Sequence, residues 1–158
     1  MINITFPDGS VRPFEKGVTA YQIAAGISPR LASEVLAATV LTNNDTTGQA
    51  TTYDLNRPIE EDSTVTLLKW DAPEAKRVFW HSSSHLMAEA LEALYPGVKF
   101  GIGPAIENGF YYDVDFGGKQ ITESDLKAIE DKMIELARRN EQFVRREVSK
   151  AEAMETFT

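Results

Sequence analysis

From Glu74 to Tyr95 the sequence contains neither glycine nor proline. The stretch is bracketed by Pro73, which suits the first position of a helix, and by Pro96-Gly97, which ends one. A helix over about Glu74 to Leu94 is predicted, and at 1.5 Å per residue it is on the order of 30 Å long, as long as a small domain is wide. Such a rod must be covered along one side, and it divides the chain into a part before it and a part after it. At 100° per residue, Phe79, Leu86, Met87, Ala90, Leu91 and Leu94 share one broad arc, the expected core face. His81 and His85 fall on the opposite side, beside Ala88 and Glu92, and they are the two histidines of the chain. Positions i and i+4 point the same way, so two imidazoles stand side by side where they can bind a metal, orient a water or touch a polar substrate. The plainer alternative is a pair of solvated surface histidines.

Before this helix, residues 2–6 alternate apolar and polar, Pro7-Asp8-Gly9-Ser10 supplies a turn, and Val11 to Phe14 completes a hairpin. Thr19 caps a helix that is expected to stop at Gly26, and Ser28-Pro29 reads as the cap and first position of another. Leu36 to Leu41 reads as a strand and Thr42 to Ala50 as an exposed loop. Order resumes at Tyr53 to Leu55, and Thr64 to Lys69 is a strand. Strands and a helix in so short a span predict a small α+β unit, a helix on a mixed sheet, with a boundary near residue 71.

After the helix, Lys99 to Ile106 and Phe110 to Phe116 are predicted to pair across a Glu107-Asn108-Gly109 turn, since Asn-Gly accepts the positive φ angles of a tight hairpin. Thr122 with Asp125 forms a capping pair for a helix whose core stripe is Leu126, Ile129, Met133, Leu136 and Ala137. Phe143 to Val148 is expected to be a strand, and Ser149 with Glu152 a capping box for a last helix.

Composition excludes several classes of function. Absence of cysteine rules out disulfides, thiolate zinc ligands and cysteine nucleophiles. No apolar run reaches the roughly 18 residues that cross a bilayer, and the first residues have no secretory pattern, so a cytoplasmic location is the default expectation. A formal net charge of −8 opposes broad, sequence-independent phosphate binding. A local basic face remains open through Lys69, Lys76 and Arg77, or through Arg138, Arg139, Arg145, Arg146 and Lys150; a solvated face is the simpler reading.

The run Gly101-Ile102-Gly103-Pro104-Ala105-Ile106-Glu107-Asn108-Gly109-Phe110-Tyr111-Tyr112-Asp113 is similar to the GxGPxxxNGFYYD signature of the bacterial-type threonyl-tRNA synthetase family. His81-Ser82-Ser83-Ser84-His85 sits where that family carries its HxxxH editing motif, and Pro7-Asp8-Gly9-Ser10 with the pattern after it is similar to the family's leading TGS domain. The chain thus resembles the N-terminal part of that family over nearly all of its length. One departure is the segment Thr42 to Thr52, which replaces a tight turn and predicts a longer loop.

The resemblance implies an α+β protein: a ubiquitin-like β-grasp TGS domain at 1–70, followed by an incomplete α+β editing domain at 71–158. It implies His81 and His85 as catalytic groups of a partial editing site, Tyr112 as a substrate-lining residue, and no metal ligand. The family's site also draws on a lysine, an aspartate and a CxxxH pair that are not in these residues, so poor hydrolysis of seryl-tRNA by this chain alone is expected. ATP, magnesium and zinc are implied only for a synthetic domain outside these residues, and a homodimer through further domains. The acceptor arm of tRNA is the implied partner, with no membrane role. Two other readings stay open. Zinc could use the histidine pair, although a structural site wants four ligands and Ser82 replaces the glutamate of a metalloprotease motif. The chain could instead be a non-catalytic TGS-type module that contacts RNA or another protein.

Overall fold

The computed structural model describes residues 1–142 and 144–156. The first hairpin joins β1 (Ile2–Thr5) to β2 (Val11–Phe14) with Ile2 opposite Phe14. Its turn is held by the Asp8 carboxylate, which accepts the Ser10 N–H at 2.9 Å, and by Gly9 at φ +80°. After β3 (Val18–Thr19) comes α1 (Ala20–Ile27). Thr19 Oγ1 accepts the Gln22 N–H at 3.2 Å while Gln22 Oε1 accepts the Thr19 N–H at 3.0 Å, a reciprocal capping box.

The expected stop at Gly26 is corrected. Gly26 stays inside α1, and the helix ends at Ser28, whose extended backbone still donates its N–H to the Ala24 carbonyl at 3.0 Å. Ser28 serves both sides of the break, since its hydroxyl accepts the Leu31 N–H and caps α2 (Pro29–Glu34). With a side-chain cap and a proline immediately after it, the chain has no need of a left-handed glycine there.

Four strands follow: β4 (Ala37–Thr42), β5 (Thr51–Tyr53), β6 (Pro58–Ile59) and β7 (Ser63–Leu68). The main sheet has the order β2-β1-β7-β4-β5, with β1 and β7 parallel and the other pairs antiparallel; β3 and β6 form a separate two-stranded ribbon. Ile23 of α1 is wholly buried together with Ile4, Ile59 and Val65, and Ile2, Val18 and Val40 complete that core. A helix laid across a mixed sheet whose first and last strands run parallel is the ubiquitin-like β-grasp arrangement. The loop between β4 and β5 is exposed, as expected, and Asp45 organises its turn by accepting the Thr47 N–H at 2.7 Å.

The long helix α3 (Pro73–Leu94) begins against this sheet, where Ala37, Leu68 and Ala75 are buried with Leu36, Ala72 and Val78 around them. The predicted hairpin then forms as two short ladders: β8 (Lys99–Phe100) with β11 (Val114–Asp115), and β9 (Ala105–Ile106) with β10 (Gly109–Phe110). Between them Gly101 donates to the Asp113 carbonyl and Asp113 donates to that of Ile102, so two residues stand opposite one. This is a β-bulge, and it divides what the alternation alone presents as one continuous pairing.

The helix α4 (Glu123–Arg138) packs on α3, with Ala90, Leu91, Ile129 and Leu136 buried. Its capping pair forms as expected. Thr122, then Lys119 and Tyr95, all bond the Asp125 carboxyl and hold it far below the usual carboxylate range.

The core stripes are narrower than the periodicity suggests. Phe79 is 40% exposed and Leu126 60% exposed, and Ala137 is on the surface. Only the arcs that meet another element are covered: of the predicted face of α3, Ala90 and Leu91 are buried, and Ala75 and Ser84 outside it are buried as well. The expected strand at Phe143–Val148 is also corrected: Phe143 lies outside the described residues, and residues 144–148 form no strand, having no partner strand there. The closing helix α5 (Lys150–Thr156) starts on the predicted Ser149–Glu152 capping box.

Candidate active site

The serines between the histidines fix the helix that carries them. Ser84 is 1% exposed and its hydroxyl donates to the His81 carbonyl at 2.7 Å; the Ser83 hydroxyl donates to the Phe79 carbonyl at 2.8 Å. Each satisfies its hydroxyl locally, as serine does within a helix. Next to them an aromatic cluster of Trp70, Phe79, Trp80 and Phe110, edge-to-face among the first three and tilted at 49° between Trp80 and Phe110, joins the end of the β-grasp unit, α3 and the hairpin, with ring centroids 5.0 to 6.4 Å apart. Such contacts stabilise beyond their buried area. The segment that presents His81 is thereby packed from two sides.

The histidine side chains themselves are exposed, and their Nε2 atoms are 3.1 Å apart, with the rings inclined at 75°. At that distance one Nε2 must carry a proton and the other must be bare, because two N–H groups or two lone pairs would repel. A hydrogen bond between the rings thus needs a donor on one and an acceptor on the other, the roles being set by their tautomers. Both rings line a cleft of about 1100 Å³ between α3 and the β-grasp unit. Tyr53, Asn56 and Arg57 line it from the β-grasp side, Gln142 and Arg145 from the segment after α4, and Asn56 Nδ2 donates to Gln142 Oε1 at 3.3 Å. His81 also borders a smaller cavity of about 350 Å³ with Asp54, Arg77, Ser82 and Ala105.

Tyr112 stands on the hairpin, half-buried against Phe100 at 5.4 Å between centroids, and is not among the residues lining either cavity. The structure thus brings His81 and His85 together at the cleft, while Tyr112 lines neither cavity. It also shows why position 103 is glycine: a Cβ there would come within 2.6 Å of the Tyr112 ring. Gly103→Ala is expected to displace that ring and destabilise the protein by about 1–3 kcal/mol, read as a lower midpoint of thermal unfolding with altered near-ultraviolet circular dichroism. An unchanged midpoint would show that the close approach has no energetic weight.

Among the described residues no group of three or more His, Cys, Asp or Glu side chains is placed to hold an ion, and a tetrahedral zinc site needs more donors than this pair supplies. No helix among them is long and apolar enough to cross a membrane. The β-grasp wall of the cleft was not signalled by the sequence, which marks Tyr53 to Leu55 only as a return of order and gives Arg57 no distinguishing pattern.

Comparison with known proteins places this geometry in a family. The TGS domain family matches residues 2–69, the β-grasp unit. Over nearly its whole length the chain is 59% identical to a threonine-tRNA ligase of Parabacteroides distasonis and 59% identical to one of Porphyromonas gingivalis, covering 99% of this chain in each case. It is 54% identical to a threonine-tRNA ligase of Cytophaga hutchinsonii, covering all of this chain. In each of these comparisons the chain spans 23% of the relative's length. Residues 2–69 thus match the TGS domain family, and the chain as a whole is similar to a segment making up 23% of the length of these threonine-tRNA ligases.

Proposed function

We propose that residues 71–158 are the first part of an editing domain, and that His81 and His85 hydrolyse the ester of serine wrongly attached to a tRNA for threonine. The observation that carries this reading is the imidazole pair, Nε2 to Nε2 at 3.1 Å, on the wall of a cleft large enough for a nucleotide with its aminoacyl group. A pocket built for threonine cannot strongly reject serine, because one methyl distinguishes two substrates by only about 1–3 kcal/mol. A second, hydrolytic site restores fidelity, and it belongs in the cytoplasm, where tRNA is charged.

The chemistry fits a pair with a donor on one ring and an acceptor on the other. As substrate enters and the hydrogen bond between the rings opens, a water oxygen attacks the ester carbonyl while the freed bare nitrogen takes the water's proton; the bond to the ribose oxygen then breaks as the other ring gives up its N–H to that oxygen. The two rings have then exchanged roles and together carry as many protons as at the start, and the released serine loses its carboxylic proton to solvent. No metal or nucleotide triphosphate is needed for this step. Tyr112, on the hairpin that the Trp80–Phe110 contact ties to α3, is assigned to the substrate side of the site. ATP, magnesium and zinc serve the ligase reaction, outside these residues, and a homodimer is likewise formed through other parts of the enzyme.

The test is the release of serine from seryl-tRNA, against threonine from threonyl-tRNA, by a ligase carrying this segment. Serine release that depends on His81 while threonyl-tRNA is spared is the expected result. Tight tRNA binding with no His81-dependent release would favour a TGS-type RNA-contact module instead.

A further inference from the structure

The cleft has a wall that the hydrolytic chemistry leaves unused. On the β-grasp side, opposite the histidine helix, the Arg57 guanidinium lies 3.8 Å from the centre of the Tyr53 ring, the shortest such contact among the described residues. Both side chains are half-buried, and both line the cleft that His81 and His85 line. The pair is held by its backbone. Tyr53 ends β5, the Arg57 N–H donates to the Asp54 carbonyl at 3.1 Å, and Pro58 opens β6 and restricts Arg57 before it.

The charges around the stack narrow what it can hold. Among the described residues no carboxylate lies within ion-pair distance of Arg57, whereas Arg145 on the same cleft is paired with Glu147. Asp54, Glu60 and Glu61 also border the cleft. Glu60 is engaged with Lys16, and Glu61 accepts from the Asn44 side chain. One uncompensated guanidinium among acidic neighbours suits a single phosphate and repels the dense charge of a duplex. A flat cation already stacked on a ring offers its open face to another planar group, as in proteins that hold single-stranded nucleic acid on aromatic and arginine platforms.

We propose that the Tyr53–Arg57 stack is a nucleotide platform that holds a single-stranded RNA end in the cleft, with a base on the guanidinium and one phosphate beside it. The TGS domain then forms the binding wall of the site, and α3 the hydrolytic wall. This rests on the reading of the cleft as an RNA-end site, but it concerns binding, which is measured without any ester.

The probe is an unstructured, non-acylated oligoribonucleotide of about six nucleotides titrated onto the 158-residue chain, followed by fluorescence anisotropy and by amide shifts. Arg57→Ala is expected to weaken binding about 5- to 100-fold. Arg57→Lys, which keeps the charge and loses the plane, is expected to fall between that and the unaltered chain. Arg12→Ala removes another ring-associated arginine, near Phe6 at the opposite edge of the sheet, and is expected to leave affinity within about twofold. Circular dichroism checks that each variant is folded. Failure of the unaltered chain to bind the probe, or equal affinity in Arg57→Ala and the unaltered chain, would overturn the platform. Equal losses in Arg57→Ala and Arg12→Ala would overturn it too, leaving only diffuse charge. If the probe binds through Arg57 but a ligase carrying the segment releases no serine, the hydrolytic reading fails and the platform stands.

Discussion

His81→Ala, introduced into a threonine-tRNA ligase that carries this segment, is expected to slow release of serine from seryl-tRNA by about 10²- to 10⁴-fold, the range for a positioned acid or base. The size of the effect follows from the geometry. The Nε2 atoms of His81 and His85 are within hydrogen-bond reach at 3.1 Å, so removing either ring deprives the other of its partner as well as its own function. The fold should survive the change, because the His81 side chain is exposed and Ser84 bonds the backbone carbonyl at that position, not the ring. Ligation of threonine is the internal control, and it should be unaffected. A His81→Ala enzyme that releases serine at the original rate would remove the pair from the chemistry.

Ile23→Ala is expected to have the largest effect on the β-grasp unit. Ile23 is wholly buried between α1 and the sheet, among Ile4, Ile59 and Val65. Truncating a buried isoleucine loses transfer energy and leaves a cavity, together about 2–5 kcal/mol. That is a large part of the stability of a unit this small, so the unit should unfold at a clearly lower denaturant concentration. Chemical denaturation followed by far-ultraviolet circular dichroism measures it. A change below about 1 kcal/mol would mean that the interior collapses around the gap or that Ile23 is not at the centre of the core.

What could be read in the sequence was chemistry acting over a few residues. Thr19 with Gln22, Ser28 before Pro29, Thr122 with Asp125 and Ser149 with Glu152 each announce a helix start, because the side chain that caps is three positions from the amide it caps. Asn108-Gly109 marks the place of its hairpin but not its turn, which is made by Glu107 and Asn108 without a positive φ at Asn108, Gly109 already opening β10 opposite Ile106; the placement of both histidines away from the core arc follows from helical period alone. Gly26 misled for an instructive reason: glycine ends a helix only where the chain must turn left-handed, and here Ser28 ends it in an extended conformation.

Other features depended on contacts distant in sequence. Phe79 belongs to the apolar arc of α3 by period, yet it meets Trp70 and Trp80 at the surface, where no element covers it. The bulge at Gly101 and Ile102 is a property of two strands, so neither strand alone reveals it. Residues 144–148 have strand character but no partner to pair with among the described residues. The candidate site divides along the same line. Its histidine wall is local to one helix and was legible, whereas Tyr53 and Arg57 reach the cleft only through the packing of the β-grasp unit against α3.

The proposed hydrolysis requires His81 and His85 to act as one unit, and a double-mutant cycle on the first-order release of serine from seryl-tRNA tests that most directly. In a ligase carrying the segment, His81→Ala, His85→Ala and the double variant are expected to be slowed by nearly the same factor, since either single change already dissolves the pair. Slowing in the double variant equal to the product of the two single effects, or no slowing in any of the three, would contradict it.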